Sequence, residues 1–163
     1  MATRDYLTPE YKLSHHGIIC LDEFYRALRN WFSVHKYDFY ENEYKTLKTS
    51  EGETIQFVWL GEKMIDDYRA YEIDVEMQFS KMQPVTKKGT KKVLTECDIK
   101  VMCRGFLKED YEEQYSKTPM RHFLRAAYQK FIGKNIQEEV ENGLKTDTKK
   151  LADEIKSFFR IVA

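Results

Sequence analysis

Two stretches between residues 68 and 107 alternate so regularly that they restrict the architecture to an antiparallel sheet. From Tyr68 to Ser80, Tyr71, Ile73, Val75, Met77 and Phe79 alternate with Glu72, Asp74, Glu76 and Gln78. From Lys92 to Leu107, Val93, Thr95, Cys97, Ile99, Val101 and Cys103 alternate with Glu96, Asp98, Lys100, Met102 and Arg104. Successive strand side chains point to opposite faces, so a period of two describes strands with one covered face and one wet face. Charge suggests their register. Glu76 opposite Lys100 and Glu72 opposite Arg104 would align Val75 with Val101 and Ile73 with Cys103, whereas a slip that sets Glu76 against Asp98 opposes like charges.

The flanking segments supply the rest of an α+β fold. Leu21, Phe24, Tyr25, Leu28, Trp31, Phe32 and His35 recur at helical spacing, which predicts a first helix over 22–35 with Asp22 as its N-cap. Residues 37–48 and 54–63 read as a hairpin turning at Ser50, Glu51 and Gly52, and Asp66-Asp67 marks the next turn. Thr118-Pro119 opens an amphipathic helix through Met120, Phe123, Leu124, Ala127, Tyr128, Phe131 and Ile132, and Asn142-Gly143 is the expected stop. A last helix is expected from Thr146 or Asp147, carrying Leu151, Ala152, Ile155, Phe158 and Phe159. The predicted fold is an N-terminal helix, a four-stranded antiparallel meander and two C-terminal helices covering one face. Residues 1–15 lack periodicity and are expected to be a flexible arm, with 16–163 as one domain.

Lys+Arg and Asp+Glu both number 27, so no net field draws the whole chain toward nucleic acid or an anionic membrane. The amino terminus MATRDYLTPEYKLSHH lacks the apolar stretch of a secretory signal, and no window has about 20 apolar residues. The three cysteines, Cys20, Cys97 and Cys103, are an odd number without close spacing, which suits reduced thiols and a cytoplasmic location.

The loop PVTKKGTKK gathers Lys87, Lys88, Lys91 and Lys92 without an acid, so these four are the candidate anion-binding tip for nucleic acid or a lipid surface. A lysine cluster on a hairpin tip equally serves solubility and blocks edge pairing. Tyr111 and Tyr115, among Glu109, Asp110, Glu112 and Glu113, form a candidate interaction surface. His15 and His16 are adjacent but lack further ligands at metal spacing, and Cys97 and Cys103 sit about 20 Å apart on one strand as small core residues. Glu72, Asp74 and Glu76 share a face with Lys100 and Arg104, an exposed charged surface rather than an acid–base pair. The expectation is therefore no enzyme, no cofactor and no metal. Instead, a binding module acts through the open face of the sheet, the acidic tyrosine segment or self-association, with a protein partner of unknown identity.

The segments HHGIICLDEFYRALRNWF, EIDVEMQF and KTPMRHFLRAAYQKFI, in this order over residues 15–160, resemble small archaeal α+β proteins without an established activity, and no functional residue carries over from them. The pattern is also similar to START-like, helix-grip carriers of small apolar ligands, which wrap a curved antiparallel sheet around a long C-terminal helix. Those carriers have more strands and end on one dominant helix, whereas the pattern read here gives four strands and two closing helices.

Overall fold

The protein is described by a computed structural model covering residues 3–50, 52–66, 68–86, 89, 93–109 and 133–162. The elements are β1 (Thr3–Leu7), β2 (Tyr11–Ile19), α1 (Leu21–Val34), β3 (Asp38–Thr49), β4 (Gly52–Met64), β5 (Arg69–Val85), β6 (Leu94–Glu109) and α2 (Gly133–Val162). The fold is α+β with an antiparallel sheet. Six strands fill five positions: β3, β4, β5 and β6 run as a meander, and β1 and β2 share the far edge of β6.

The N-terminal segment corrects the expected arm. Tyr11, Leu13 and His15 turn toward the helices while Lys12, Ser14 and His16 are exposed, so β2 is an amphipathic strand held by β6. Two apolar residues and a histidine are too short an alternation to register as a strand alone; the open edge of β6 supplies the pairing that makes it one. Thr8 adds to it by donating its backbone N–H to the Gly105 carbonyl at 2.9 Å and accepting the Gly105 N–H on Oγ1 at 2.8 Å.

α1 buries Phe24, Leu28, Trp31 and Phe32 against the sheet, as its spacing predicts. Its N-cap is Cys20 rather than Asp22, without a side-chain capping bond, and Asp22 and Glu23 occupy the first turn. There they favour the positive end of the helix dipole without capping. The hairpin of β3 and β4 turns where expected, with Gly52 at φ 127°. Asp66 Oδ1 then accepts the N–H groups of Tyr68 and Arg69 at 2.8 and 2.6 Å, which fixes the turn into β5.

The β5–β6 register differs by two residues from the expected one. Val75 faces Cys103, Ile73 faces Gly105 and Asp74, not Glu72, faces Arg104. In this register the buried Arg69 lies opposite the buried Glu109; in the expected one Arg69 would have faced Leu107. Exposed cross-strand charge pairs return only about 0.2–1 kcal/mol each, less than the burial of the core face that the register fixes. Val93, expected on the core face, is 78% exposed because β6 begins one residue later. Glu72, expected on the wet face, is buried and pairs with Lys108 at 3.4 Å.

α2 also departs from expectation, because it runs unbroken through Asn142-Gly143. Tyr71 donates its hydroxyl to the Val140 carbonyl at 2.5 Å, and a Cβ on Gly143 would lie 2.5 Å from that oxygen. Gly143 is thus a site of close approach within the helix, not a stop. Gly105 does the same for the sheet: a Cβ there would stand 2.6 Å from Thr148 Oγ1 of α2. The expected helix start at Thr118-Pro119 lies outside the described residues. α1 and α2 both lie over the face carrying Ile73, Val75, Met77, Ile99 and Val101, and one core results.

Candidate binding surface

The opposite face of the sheet carries no helix among the described residues, and the strand registers arrange its side chains in rows. Lys12, Met102, Glu76, Val58 and Glu43 stand across the five positions in one row, and Ser14, Lys100, Gln78, Gln56 and Lys45 in the next. Between these rows, over β2, β6, β5 and β4, lies an open trough of ≈ 210 Å³. Its lining combines two lysines, one carboxylate, two amides and the Met102 side chain, so it offers donors, acceptors and an apolar contact without a dominant sign of charge.

At one end of this face Arg104 reaches Glu10 at 3.6 Å and Asp74 and Glu76 at 3.9 Å each. At the other end His16 Nδ1 hydrogen-bonds Asp98 Oδ1, and His16 Nε2 is 3.4 Å from Glu96. The hydrogen bond to Asp98, helped by its charge, raises the His16 pKa, and the same bond holds Asp98 below the usual carboxylate range. Both groups are solvent-exposed, so they order the surface and add little to stability.

No protein-family model and no curated protein matches the chain. Its own geometry is the guide.

Of the sites expected from sequence, Lys87, Lys88, Lys91 and Lys92 of the lysine tip, and Tyr111 and Tyr115, lie outside the described residues. His15 and His16 point to opposite faces. His15 stacks on Phe159 at 4.8 Å between ring centroids while His16 joins Asp98, so the two imidazoles do not converge on one ion. Among the described residues no group of three or more His, Cys, Asp or Glu side chains converges as metal ligands. Burial pushes the Cys97 thiol up to about 11, with Asp98 and Glu96 adding to it, and pushes Cys103 up to about 12. Thiols so shifted are core groups, not activated nucleophiles. No helix among the described residues is long and apolar enough to cross a membrane.

Two inner features escaped the sequence reading. Tyr37 donates to Asp147 Oδ2 at 2.7 Å, and Lys63 approaches the same oxygen at 3.9 Å and lies over the Tyr37 ring. Burial and the Asp147 charge raise the Tyr37 pKa and push Tyr71 up to about 12. These residues come from β4, β5, α2 and the segment after α1, so no local pattern links them. The second feature is an apolar cavity of ≈ 40 Å³ between α1 and the sheet, lined by Leu21, Phe24, Tyr25, Phe57, Trp59, Met77 and Phe79. Trp59 is buried, and its indole N–H finds no hydrogen-bond acceptor among the described residues.

Proposed function

We propose that the protein is a non-enzymatic interaction module that presents the sheet face opposite its described helices to a protein partner. The observation that supports this reading is the trough between the rows of Lys12 and Lys100, which crosses four strands on the face opposite both helices. An antiparallel sheet with one helix-covered face is sufficient for folding, so the second face, which carries no helix among the described residues, is available to bind. The mix of lysine, carboxylate, amide and methionine there suits a polypeptide, whose backbone and side chains present both hydrogen-bonding roles and apolar carbon. It suits a nucleic-acid backbone poorly, because Glu76 stands within it.

Lysine-directed cross-linking in the cells that make the protein, read by mass spectrometry, tests this. Cross-links to another protein are expected to concentrate on Lys12 and Lys100. Concentration instead on the α2 lysines, such as Lys149 and Lys156, or on the 87–92 tip would count against the uncovered face.

A second reading is favoured by one specific feature, the Trp59 N–H at the aromatic cavity. An apolar molecule bearing one acceptor would satisfy it, and the order of strands, α1, meander and long final helix is nearer to the helix-grip carriers than four strands and two closing helices are. At ≈ 40 Å³ the cavity is no larger than a water or two. A carrier function would therefore require α1 to move off the sheet, since ligand pockets run to about 300 Å³ or more. Native mass spectrometry of protein from its own source separates the readings: a defined apolar adduct supports the carrier, and its absence counts against it.

A further inference from the structure

We propose that the β3 edge is a self-recognition surface through which two copies of the chain join their sheets into one. β3 ends the strand order, and β4 is its only strand neighbour among the described residues. Every residue from Tyr40 to Lys48 is exposed. Three of the seven large apolar side chains exposed among the described residues stand on this strand, with Tyr40 at 49%, Tyr44 at 58% and Leu47 at 59%. An edge strand presents unpaired N–H and C=O groups to any strand that fits, and proteins ordinarily blunt such edges with charge. Here the charges are arranged to complement themselves.

The arrangement is Glu43-Tyr44-Lys45. Two antiparallel β3 strands related by a two-fold axis through Tyr44 set each Glu43 opposite Lys45 of the second copy, on the uncovered face. The two Tyr44 rings meet on the other face, where Tyr44 already lies 5.1 Å from Phe57. Moving the axis by one residue brings Glu43 onto Glu43 or Lys45 onto Lys45, so like charges oppose both neighbouring registers. Moving it by half that distance pairs an inner position with an outer one, which a continuous sheet does not allow. The bulge between Glu41 and Glu43 ends the regular stretch on one side of this pairing. Within one chain Lys45 Nζ is 3.9 Å from Glu43 Oε2, so the four charges about the axis alternate in sign.

The same pairing joins the binding faces. The row ending in Val58 and Glu43 of one copy continues into Lys45, Gln56 and Gln78 of the other, so the two troughs come to lie on one sheet. The self-pairing does not depend on the uncovered face having a protein partner. Sedimentation reads the edge and cross-linking reads the face, so either can fail alone.

The test uses the full chain and two charge reversals at exposed positions, Glu43→Lys and Lys45→Glu, each checked for native fold by circular dichroism. In sedimentation velocity at about 100 μM, where a micromolar affinity fills the dimer, the unaltered chain is expected to be dimeric. Each variant alone opposes like charges twice across the axis and should weaken the dimer roughly tenfold or more. Mixing the two variants restores opposite charges at both contacts and should return a heterodimer of near-original affinity. A monomeric unaltered chain at that concentration overturns the proposal, and so does a dimer that either reversal leaves intact or that mixing fails to restore.

Discussion

Replacing Gly143 by alanine tests how α2 is seated, because local and tertiary effects predict opposite signs. Within a helix, Gly→Ala ordinarily stabilises by about 1 kcal/mol. Here the new methyl would stand 2.5 Å from the Tyr71 hydroxyl oxygen, and that hydroxyl donates to the Val140 carbonyl at 2.5 Å. The ring or the helix must shift, which costs about 1–3 kcal/mol as overpacking and about 1 kcal/mol for the hydrogen bond. After the helix gain is subtracted, Gly143→Ala is expected to destabilise by about 1–3 kcal/mol, a fall in Tm of roughly 3–10 °C for a chain of this size. Tyr71→Phe alone should cost about 1 kcal/mol. In that background the alanine methyl meets ring carbon Cζ at an ordinary 3.5 Å, so the helix gain returns and the double variant should lie within about 1 kcal/mol of the original. Urea unfolding followed by the fluorescence of Trp31 and Trp59 provides the cycle, with an unchanged m-value as the condition for comparison. Stabilisation by Gly143→Ala in the unaltered background, or additive effects, would refute the seating of α2 on Tyr71.

Two further predictions concern ionisable groups. His16 should titrate above 6.5 by NMR, and Asp98→Asn should bring it back toward that value; an unmoved midpoint would show that the pair is not formed in solution. Because the folded pKa is raised, the His16 contribution to stability is complete below the unfolded value and lost as pH rises through the folded one. The depressed Asp98 loses its share as pH falls through its own pKa, so the pair contributes most between the two. For the thiols, a pKa near 11 leaves roughly one part in a thousand ionised at pH 8, against about a quarter for an ordinary cysteine. Cys97 and Cys103 should therefore react with a thiol reagent at least about 100-fold more slowly in the native than in the unfolded chain, as read by peptide mass mapping. Rapid native labelling of either would contradict their burial.

Much of this fold is legible in residue order. The alternation around Val75 and Val101, the helical stripe from Phe24 to Phe32 and the glycine turn at Gly52 are local patterns, and each appears where its period or backbone preference puts it. The two rows of the candidate surface are half legible. Glu76, Gln78, Lys100 and Met102 read as the wet face from the alternation alone, but their alignment with Lys12, Gln56 and Lys45 depends on register. Exposed charge pairs worth about 0.2–1 kcal/mol each are too weak to set the β5–β6 register against the burial of the core face.

The sequence by itself determined the elements whose reasons are local: which residues alternate, which face is apolar and where the chain turns. Tertiary structure decided what depends on a neighbour remote in the chain. β2 becomes a strand because β6 offers it an edge, Gly143 stays helical because Tyr71 packs there, and Tyr37 meets Asp147 across 110 residues. A period of two or 3.6 residues fixes direction along one element, but which elements meet, and in what register, follows from burying the whole apolar face together with its few buried charges.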